Sequence, residues 1–210
     1  MTLPDLPKST LRCSGILLAG GRSRRMGQDK AFVKFGGVSL LQHVLAVLSQ
    51  AAAEVVVVRA PDQPLPVLEV RPGTTLRVVR DSVSDQGPLQ GLADGVQSLK
   101  AAPEAVFVLS CDLPRLEPGW LHKLQQHLTG EWDVVGTETQ GIPNPLLALY
   151  RLAVLQQAPE LVRRGEQRPI TLWSGFRTRL LTPQPSEVLL VQDANTPEEL
   201  EQRFQNPLSS

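Results

Sequence analysis

The chain has little cysteine, few aromatic residues, no net charge and no long apolar run. Its 210 residues include two cysteines, Cys13 and Cys111, which are too few for a four-ligand zinc site and form no C-x-x-C pair. Formal charge is zero, which argues against a nucleic-acid or anionic-membrane surface. No apolar run approaches the roughly 20 residues of a membrane span, and residues 1–10 lack the apolar centre of a secretory signal. We therefore expect a cytoplasmic protein with reduced, partly buried thiols.

The rest of the composition, 41% hydrophobic and 20% charged residues, is typical of a globular domain. We expect a loose leader over residues 1–12 and a single domain over 13–206. Apolar runs predict strands at 14–19, 54–59, 76–80, 105–109, 132–136, 146–150, 177–181 and 188–191. Helical spacing and caps predict helices at 40–48, 88–99, 118–128, 152–157, 159–164 and 197–204. This alternation indicates an α/β fold with a mainly parallel central sheet and helices on both faces.

Caps and turns refine these boundaries. Ser39 is a candidate N-cap, with Gln42 placed to complete a capping box, and residues 196–199 (T-P-E-E) form a second box. Residues 32–35 are expected to be extended, 60–73 to form a proline-rich loop and 141–145 to form a turn. His43, on the first helix, is expected to pack or lie at the surface rather than to take part in catalysis.

The most informative stretch is residues 16–30. An apolar run ends at Gly20 and Gly21, which permit a sharp turn and close approach of a ligand to the backbone. Four cations follow, namely Arg22, Arg24, Arg25 and Lys30. Free amide groups and positive charge suit a polyphosphate, although a solvated basic loop is an equally good interpretation of these residues alone. Neither the G-x-x-x-x-G-K-[ST] nor the G-x-G-x-x-G phosphate motif is present.

Two aspartates also follow predicted strands. Asp81 and Asp112 stand, like Gly20 and Gly21, where a strand ends, and ligands of such sheets bind beyond the carboxyl ends of the strands. Asp112 precedes Leu-Pro114, which stiffens the turn. A carboxylate there is suited to hold Mg²⁺ beside a polyphosphate or to cap the following segment, and these residues alone favour neither.

The sequence at 18–30, L-A-G-G-R-S-R-R-M-G-Q-D-K, resembles the L-A-G-G-x-S-x-R-M-G-x-D-K signature of the molybdenum cofactor guanylyltransferases. That resemblance extends from about residue 15 to 204 and implies a Rossmann-like, three-layer sandwich similar to nucleotide-diphospho-sugar transferases. The C-D-L-P string at 111–114 resembles the family's C-D-x-P metal motif and favours Asp112 as a metal ligand. Asp81 with G-P-L-Q-G-L at 87–92 resembles the family's nucleotide-binding segment.

Two later segments resemble the family but depart from its pattern. Residues 193–198 (D-A-N-T-P-E) resemble N-x-N-T-P-E, with Asp193 in place of the first asparagine and Asn195 matching the second. In P-N-P at 143–145, Asn144 stands where the family usually has histidine, in a segment that faces the pterin. The resemblance thus places Asn144 and Asn195 on the pterin or metal side. An arginine cluster at 163, 164 and 168 suits either a solvated helix end or a second phosphate site.

The resemblance implies that GTP and molybdenum-molybdopterin combine to give molybdopterin guanine dinucleotide and pyrophosphate, with Mg²⁺ as cofactor. It implies catalytic roles for Arg22, Arg25, Lys30 and Asp112, with Asp112 as the metal ligand. It also implies that GTP contacts Leu18, Ala19, Gly20, Gly21, Lys30, Asp81 and Asp112. Expected partners are these small molecules, molybdenum-insertion proteins and molybdoenzyme chaperones, with no nucleic acid and no membrane.

Two alternatives remain open at this stage. The first is a related transferase that uses CTP or another phosphorylated acceptor, although Gly21 matches the glycine that accompanies guanine preference in the family. The second is a nucleotide-binding adaptor that delivers cofactor without turnover. Such an adaptor would be expected to lack the metal or lysine position, yet Asp112 and Lys30 are both present.

Overall fold

The computed structural model describes residues 11–19, 30–83 and 86–205. Its strands are β1 (Cys13–Leu18), β2 (Lys34–Phe35), β3 (Val38–Ser39), β4 (Glu54–Arg59), β5 (Thr75–Arg80), β6 (Ala105–Ser110), β7 (Val134–Thr139), β8 (Ile142–Arg151) and β9 (Thr178–Leu181). Its α-helices are α1 (Leu40–Leu48), α2 (Pro88–Ser98), α3 (Pro118–His127), α4 (Leu152–Leu155), α5 (Ala158–Arg163), α6 (Val188–Val191) and α7 (Pro197–Gln205). Short 3₁₀ turns lie at Lys30–Phe32, Pro169–Trp173 and Pro185–Glu187.

A seven-stranded sheet in the order β5-β4-β1-β6-β8-β7-β9 forms the centre of the molecule. Strands β5, β4, β1 and β6 are parallel neighbours, whereas β8 runs antiparallel to both β6 and β7. All six residues of β1 are buried, as are the first five of β4 and of β6. Continuous apolar runs of this kind are expected for parallel strands that are covered on both faces.

Helices cover both faces of the sheet, which confirms the predicted architecture. Residues of β1 alternate between two cores, with Leu17 facing one and Ile16 the other. The first core is shared with α1, α3 and α6, and the second with α2, α4 and α5. Each fully buried leucine or isoleucine contributes roughly 1.5–3 kcal/mol to folding. No helix among the described residues has both the length and the apolar character needed to cross a membrane.

The N-cap of α1 is as predicted, but the capping box is not. Ser39 Oγ accepts from the Gln42 amide at 3.2 Å. The Gln42 side chain does not return to Ser39; it donates to the Glu69 carbonyl and accepts from the Glu69 amide, both at 2.9 Å. Gln42 therefore ties α1 to the proline-rich loop rather than completing the box.

The predicted strand at 188–191 is wrong: this segment is helix α6. The 3₁₀ turn before it begins with a capping box, in which the Gln184 amide donates to Glu187 Oε2 at 2.8 Å. That turn leads the chain directly into α6, which places Val191 in the core under the sheet. An apolar run of four residues has too little periodicity to separate a short helix from a strand.

The predicted turn at 141–145 is also wrong, because β8 already begins at Ile142. The turn is confined to Gln140 and Gly141, whose φ angles are 53° and 76°. Positive φ at both central residues is typical of a tight hairpin. The two prolines of P-N-P lie in β8 next to an irregularity, where the register between β7 and β8 shifts at Gly136/Thr137.

The predicted extended piece at 32–35 is wrong in its first residue. Phe32 closes the 3₁₀ turn Lys30–Phe32, and the strand β2 that follows pairs with β3 in a separate two-stranded hairpin. This hairpin leads directly into α1.

Candidate active site

The carboxyl ends of four parallel neighbours lie at one edge of the sheet. Ala19 follows β1, Asp81 follows β5 and Asp112 lies two residues beyond the end of β6. Backbone hydrogen bonds connect these exits: Ala19 N donates to Val58 O at 2.8 Å, and Asp81 N to Arg59 O at 2.7 Å. The edge that the sequence predicted as the ligand-binding side is therefore a continuous hydrogen-bonded rim.

Asp112 is held at the end of β6 by contacts on both its side chain and its backbone. Ser110 Oγ donates to Asp112 Oδ1 at 2.5 Å, and the Asp112 carbonyl accepts from Ala194 N at 2.9 Å. The second contact brings the late 193–198 segment against Asp112, although about 80 residues separate them in sequence. The carboxylate is partly exposed.

The late segment is itself ordered around Asn195. Asn195 Nδ2 donates to Asp193 Oδ2 at 2.9 Å, and Asn195 N donates to Glu199 Oε2 at 2.6 Å. Thr196 Oγ1 accepts from Glu199 N at 3.2 Å, so the predicted N-cap of α7 is present. The predicted capping box differs in its second contact, because the Glu199 carboxylate accepts from the amide of Asn195, the residue before the cap. Two of the sequence-predicted site residues, Asp112 and Asn195, therefore lie on segments that touch.

The donors around Asp112 fit a hard divalent cation. A partly exposed carboxylate stands beside a segment that offers carboxylate and amide oxygens, and Mg²⁺ prefers oxygen ligands. The part of the chain that the structure describes has no group of three His, Cys, Asp or Glu residues able to hold a metal. A cation bound there would rely on one or two carboxylates and on the oxygens of its substrates, as is usual for Mg²⁺ in nucleotide sites.

Asp81 lies in a half-buried position where α2 approaches β1 closely. Its Oδ1 accepts from the Val83 amide at 3.2 Å. Burial raises the pKa of Asp81, and the nearby Asp94 carboxylate raises it further. The hydrogen bond from the Val83 amide acts in the opposite direction. A Cβ on Gly91 would lie 3.2 Å from the Leu18 side chain and 4.0 Å from Asp81 Oδ2. A glycine at this position lets the helix pack against the strand end that carries the candidate nucleotide site.

Asp94 and Gln90, which the sequence did not single out, hold the segment after Asp81. Asp94 Oδ2 accepts from Ser82 N at 2.8 Å, and Gln90 Nε2 donates to Ser82 Oγ at 2.8 Å. Both side chains lie on α2 with i, i+4 spacing and face the same loop. That spacing was the signal in the sequence.

The predicted arginine cluster begins at the last residue of α5, Arg163, and continues with Arg164 and Arg168 in the loop that follows. Arg163 and Arg164 form ion pairs with Glu160 at 2.7 and 2.9 Å, which supports the solvated helix end rather than a phosphate site for these two. The following loop packs its backbone on the start of α2, because Leu89 N donates to Gln167 O at 3.2 Å.

Asn144 lies in β8 at the same edge of the sheet, opposite Thr137. Its Oδ1 accepts from Leu146 N at 2.9 Å, a local contact that sets the side-chain orientation beside the register shift. Tyr150 Oη donates to Pro145 O at 2.8 Å and accepts from Trp173 Nε1 at 2.9 Å. These two hydrogen bonds stabilise the part of β8 that lies beside the register shift.

Both backbone groups of Ala19 are engaged within the protein. Its amide donates to Val58, and its carbonyl accepts from Gln63 Nε2 at 3.0 Å. A nucleoside contact through the Ala19 amide would therefore have to share that donor. Gln63 was missed from the sequence because it lies in the stretch 60–73, which was predicted only as a proline-rich loop. The signal was its place shortly after β4, the strand between β1 and β5.

The remaining predicted residues stay predictions. Gly20, Gly21, Arg22 and Arg25 lie outside the described residues, as does the side chain of Lys30. His43 agrees with its expected packing role: it is half-buried, and its Nε2 lies 3.1 Å from the Leu116 carbonyl. Burial lowers the pKa of His43.

Comparisons with known proteins agree with this architecture. The model of the MobA-like NTP transferase domain matches residues 15–200. A probable molybdenum cofactor guanylyltransferase of Mycolicibacterium paratuberculosis is 37% identical over 163 residues, covering 74% of this chain and 78% of the relative. Its counterpart from Mycobacterium tuberculosis is 34% identical over 172 residues, covering 79% and 81%.

Solved structures share the fold at low identity. Molybdopterin-guanine dinucleotide biosynthesis protein A of Archaeoglobus fulgidus superposes with a TM-score of 0.70 at 18% identity, covering 91% of this chain and 97% of that one. The 2-C-methyl-D-erythritol 4-phosphate cytidylyltransferase of Thermus thermophilus gives 0.65 at 17% identity, covering 90% and 96%. The chain therefore belongs to the family of MobA-like NTP transferase domains and is an enzyme of the nucleotidyltransferase type.

Proposed function

We propose that this enzyme transfers GMP from GTP to molybdenum-molybdopterin, which yields molybdopterin guanine dinucleotide and pyrophosphate. The observation that carries the proposal is the position of Asp112, which lies beyond the end of β6 at the same rim as Ala19 and touches the 193–198 segment through Ala194. The names of the curated relatives support the choice of substrates.

In the proposed reaction, the terminal phosphate of the pterin attacks the α-phosphorus of GTP in line. A new phosphorus–oxygen bond forms, and the bond from the α-phosphorus to the oxygen that bridges to the β-phosphate breaks, so that pyrophosphate leaves. The attacking phosphate is already an anion near neutral pH, so no strong general base is required. Catalysis rests on positioning and on charge neutralisation.

The chain supplies these two effects through separate segments. Arg22, Arg25 and Lys30 offset the charge of the triphosphate, while Leu18, Ala19, Gly20 and Gly21 meet the nucleoside. Asp81 makes a further contact with GTP, and Asn144 and Asn195 lie on the pterin or metal side. Asp112 would hold Mg²⁺, which would neutralise charge on the phosphate oxygens.

We place the reaction in the cytoplasm, since Cys13 and Cys111 are both buried and are not joined in a disulfide. Molybdenum-insertion proteins and molybdoenzyme chaperones are the proposed macromolecular partners, which would supply the acceptor and receive the product.

The test is pyrophosphate release by the full chain with Mg²⁺, molybdenum-molybdopterin and each of GTP, CTP, ATP and UTP. We expect release with GTP and a loss on the order of 10²–10³ in rate for Asp112→Asn. Glu131→Gln is the matched control, because Glu131 is an exposed carboxylate in the loop before β7. This loop lies at the end of the sheet away from Asp112.

Three results would contradict the proposal. Release with CTP alone would indicate a cytidylyltransferase. Nucleotide binding without any pyrophosphate release would indicate a delivery adaptor. Full GTP activity in Asp112→Asn would remove Asp112 from the reaction.

A further inference from the structure

The turn that follows β4 is built as a rigid unit. Arg59 Nη1 donates to three carbonyl oxygens, those of Ala60 at 3.1 Å, Pro61 at 2.8 Å and Gln63 at 2.7 Å. Gln63 N donates to Ala60 O at 3.2 Å and closes the turn. One guanidinium that donates to three carbonyl oxygens within four residues stabilises the backbone of this turn.

Gln63 reaches from this rigid turn to the end of the neighbouring strand β1. Only 8% of the residue is exposed. Its Oε1 accepts from Ala60 N at 3.0 Å, and its Nε2 donates to Ala19 O at 3.0 Å. One carboxamide therefore joins two strand exits that are adjacent in the sheet.

Ala19 is the last described residue before the two glycines of the L-A-G-G motif. Its amide is bound to Val58 O at 2.8 Å, and the Cys111 Sγ lies 3.9 Å from its carbonyl oxygen. Gln63 supplies the short, well-directed hydrogen bond to that carbonyl. The orientation of the Ala19 carbonyl group therefore depends on the Gln63 side chain.

We infer that Gln63 is a positioning residue that determines nucleoside selectivity, because it fixes the Ala19 carbonyl at the edge of the base-binding backbone. The inference rests on the proposed function, in which the backbone at Leu18 and Ala19 contacts the nucleoside. Backbone groups discriminate between bases only if they are held in place, since a site built to hydrogen-bond one substrate rejects analogues that leave its groups unpaired.

The chemistry of the contact requires a carboxamide. Glutamine offers an acceptor to Ala60 N and a donor to Ala19 O at the same time. In Gln63→Glu the ionised carboxylate keeps the acceptor but presents an oxygen to the Ala19 carbonyl oxygen, which repels it. In Gln63→Leu both hydrogen bonds are lost at similar volume.

The experiment measures kcat and KM for GTP and for ATP, with molybdenum-molybdopterin and Mg²⁺, in the wild type, Gln63→Leu and Gln63→Glu. Loss of the hydrogen bond that holds the Ala19 carbonyl should raise the KM for GTP about tenfold in Gln63→Leu, while kcat stays within about twofold. The ratio of kcat/KM for GTP to that for ATP should fall about tenfold by the same reasoning. Gln63→Glu should raise the KM for GTP further than Gln63→Leu.

Gln50→Leu and Gln50→Glu are the matched controls. Gln50 is exposed and follows α1, and its side chain donates to the Ala46 carbonyl of that helix at 3.4 Å. Neither change should alter the GTP to ATP ratio.

The outcomes separate the inference from the proposed function. An unchanged GTP to ATP ratio in both Gln63 variants, with a lower kcat for every nucleotide, would mean that Gln63 only supports folding, and the inference would be overturned. If the wild type releases no pyrophosphate, the proposed function fails; the inference is then tested by the GTP and ATP dissociation constants from calorimetry, whose ratio should fall about tenfold in Gln63→Leu.

Discussion

Glu54 is a buried carboxylate at the start of β4, and its replacement should cost a large part of the stability of the fold. The residue is 4% exposed. Its carboxylate accepts from the amide of Lys100 at 3.1 Å, from the amide of Ala101 at 3.0 Å and from Arg77 Nε at 2.9 Å. It thereby joins β4, its neighbour β5 and the loop after α2.

In Glu54→Gln, one oxygen remains as an acceptor while the other becomes an NH₂ group that faces donors. Hydrogen bonds to charged groups contribute about 1.5–3 kcal/mol each, so we expect the free energy of unfolding to fall by roughly 2–4 kcal/mol. For a domain of this size, each kcal/mol shifts Tm by about 2–4 °C, which predicts a decrease of roughly 5–15 °C.

The pH dependence of this difference has a definite sign. Burial alone raises the pKa of Glu54, but the amide and guanidinium hydrogen bonds lower it by more, so that the pKa in the folded state lies below its ordinary value. The stabilisation is therefore fully present above the pKa of the unfolded chain and is lost as pH falls through the folded-state pKa. The difference between wild type and Glu54→Gln should be largest near neutral pH and should shrink in acid.

The assay is thermal and urea unfolding followed by circular dichroism at pH 7 and at successively lower pH. Glu69→Gln serves as the control, because Glu69 is exposed in the loop between β4 and β5. Glu54 lies at the end of β4 opposite the candidate site, so the KM for GTP should not change. A Tm within about 1 °C of wild type would refute the reasoning, since even 1 kcal/mol moves Tm by more than that.

Three shorter predictions follow from other contacts. GTP affinity should fall as the pH is lowered through the pKa of Asp81, because protonation changes the carboxylate that is proposed to contact GTP. Burial raises this pKa, and Asp81→Asn should flatten the pH profile of the GTP affinity measured by calorimetry. Gly136→Ala would place a Cβ 2.6 Å from the Trp173 ring, so the free energy of unfolding in urea should fall by about 1–3 kcal/mol. Gly119→Ala is the control and should not be destabilising, because a Cβ there meets no atom within 4 Å. Ser39→Ala removes the N-cap of α1 and should cost about 1 kcal/mol in the same assay, and no loss would contradict the cap.

The local features of the fold were predictable because they depend on residues close in sequence. The apolar runs that became β1, β4 and β6 and the N-cap at Ser39 all arise from near neighbours. The alternation of strands and helices was also enough to place Asp81 and Asp112 at one edge of a parallel sheet. These predictions required no knowledge of long-range pairing.

Features that depend on pairing between distant segments were not predictable. The antiparallel insertion of β8 between β6 and β7 follows from a tight turn at Gln140 and Gly141, which the proline pattern at 143–145 obscured. The helix at Val188–Val191 forms because the sheet already ends at β9 and the core beneath it requires Val191.

The sequence by itself determined the mainly parallel α/β architecture and the aspartates at the strand ends, because apolar periodicity and motif spacing are properties of short stretches. Only the tertiary structure revealed that Ala194 touches Asp112 and that Gln63 holds Ala19. The physical reason is that a hydrogen bond between distant segments is selected by the packing of the whole sheet, and no pattern within either segment specifies its partner.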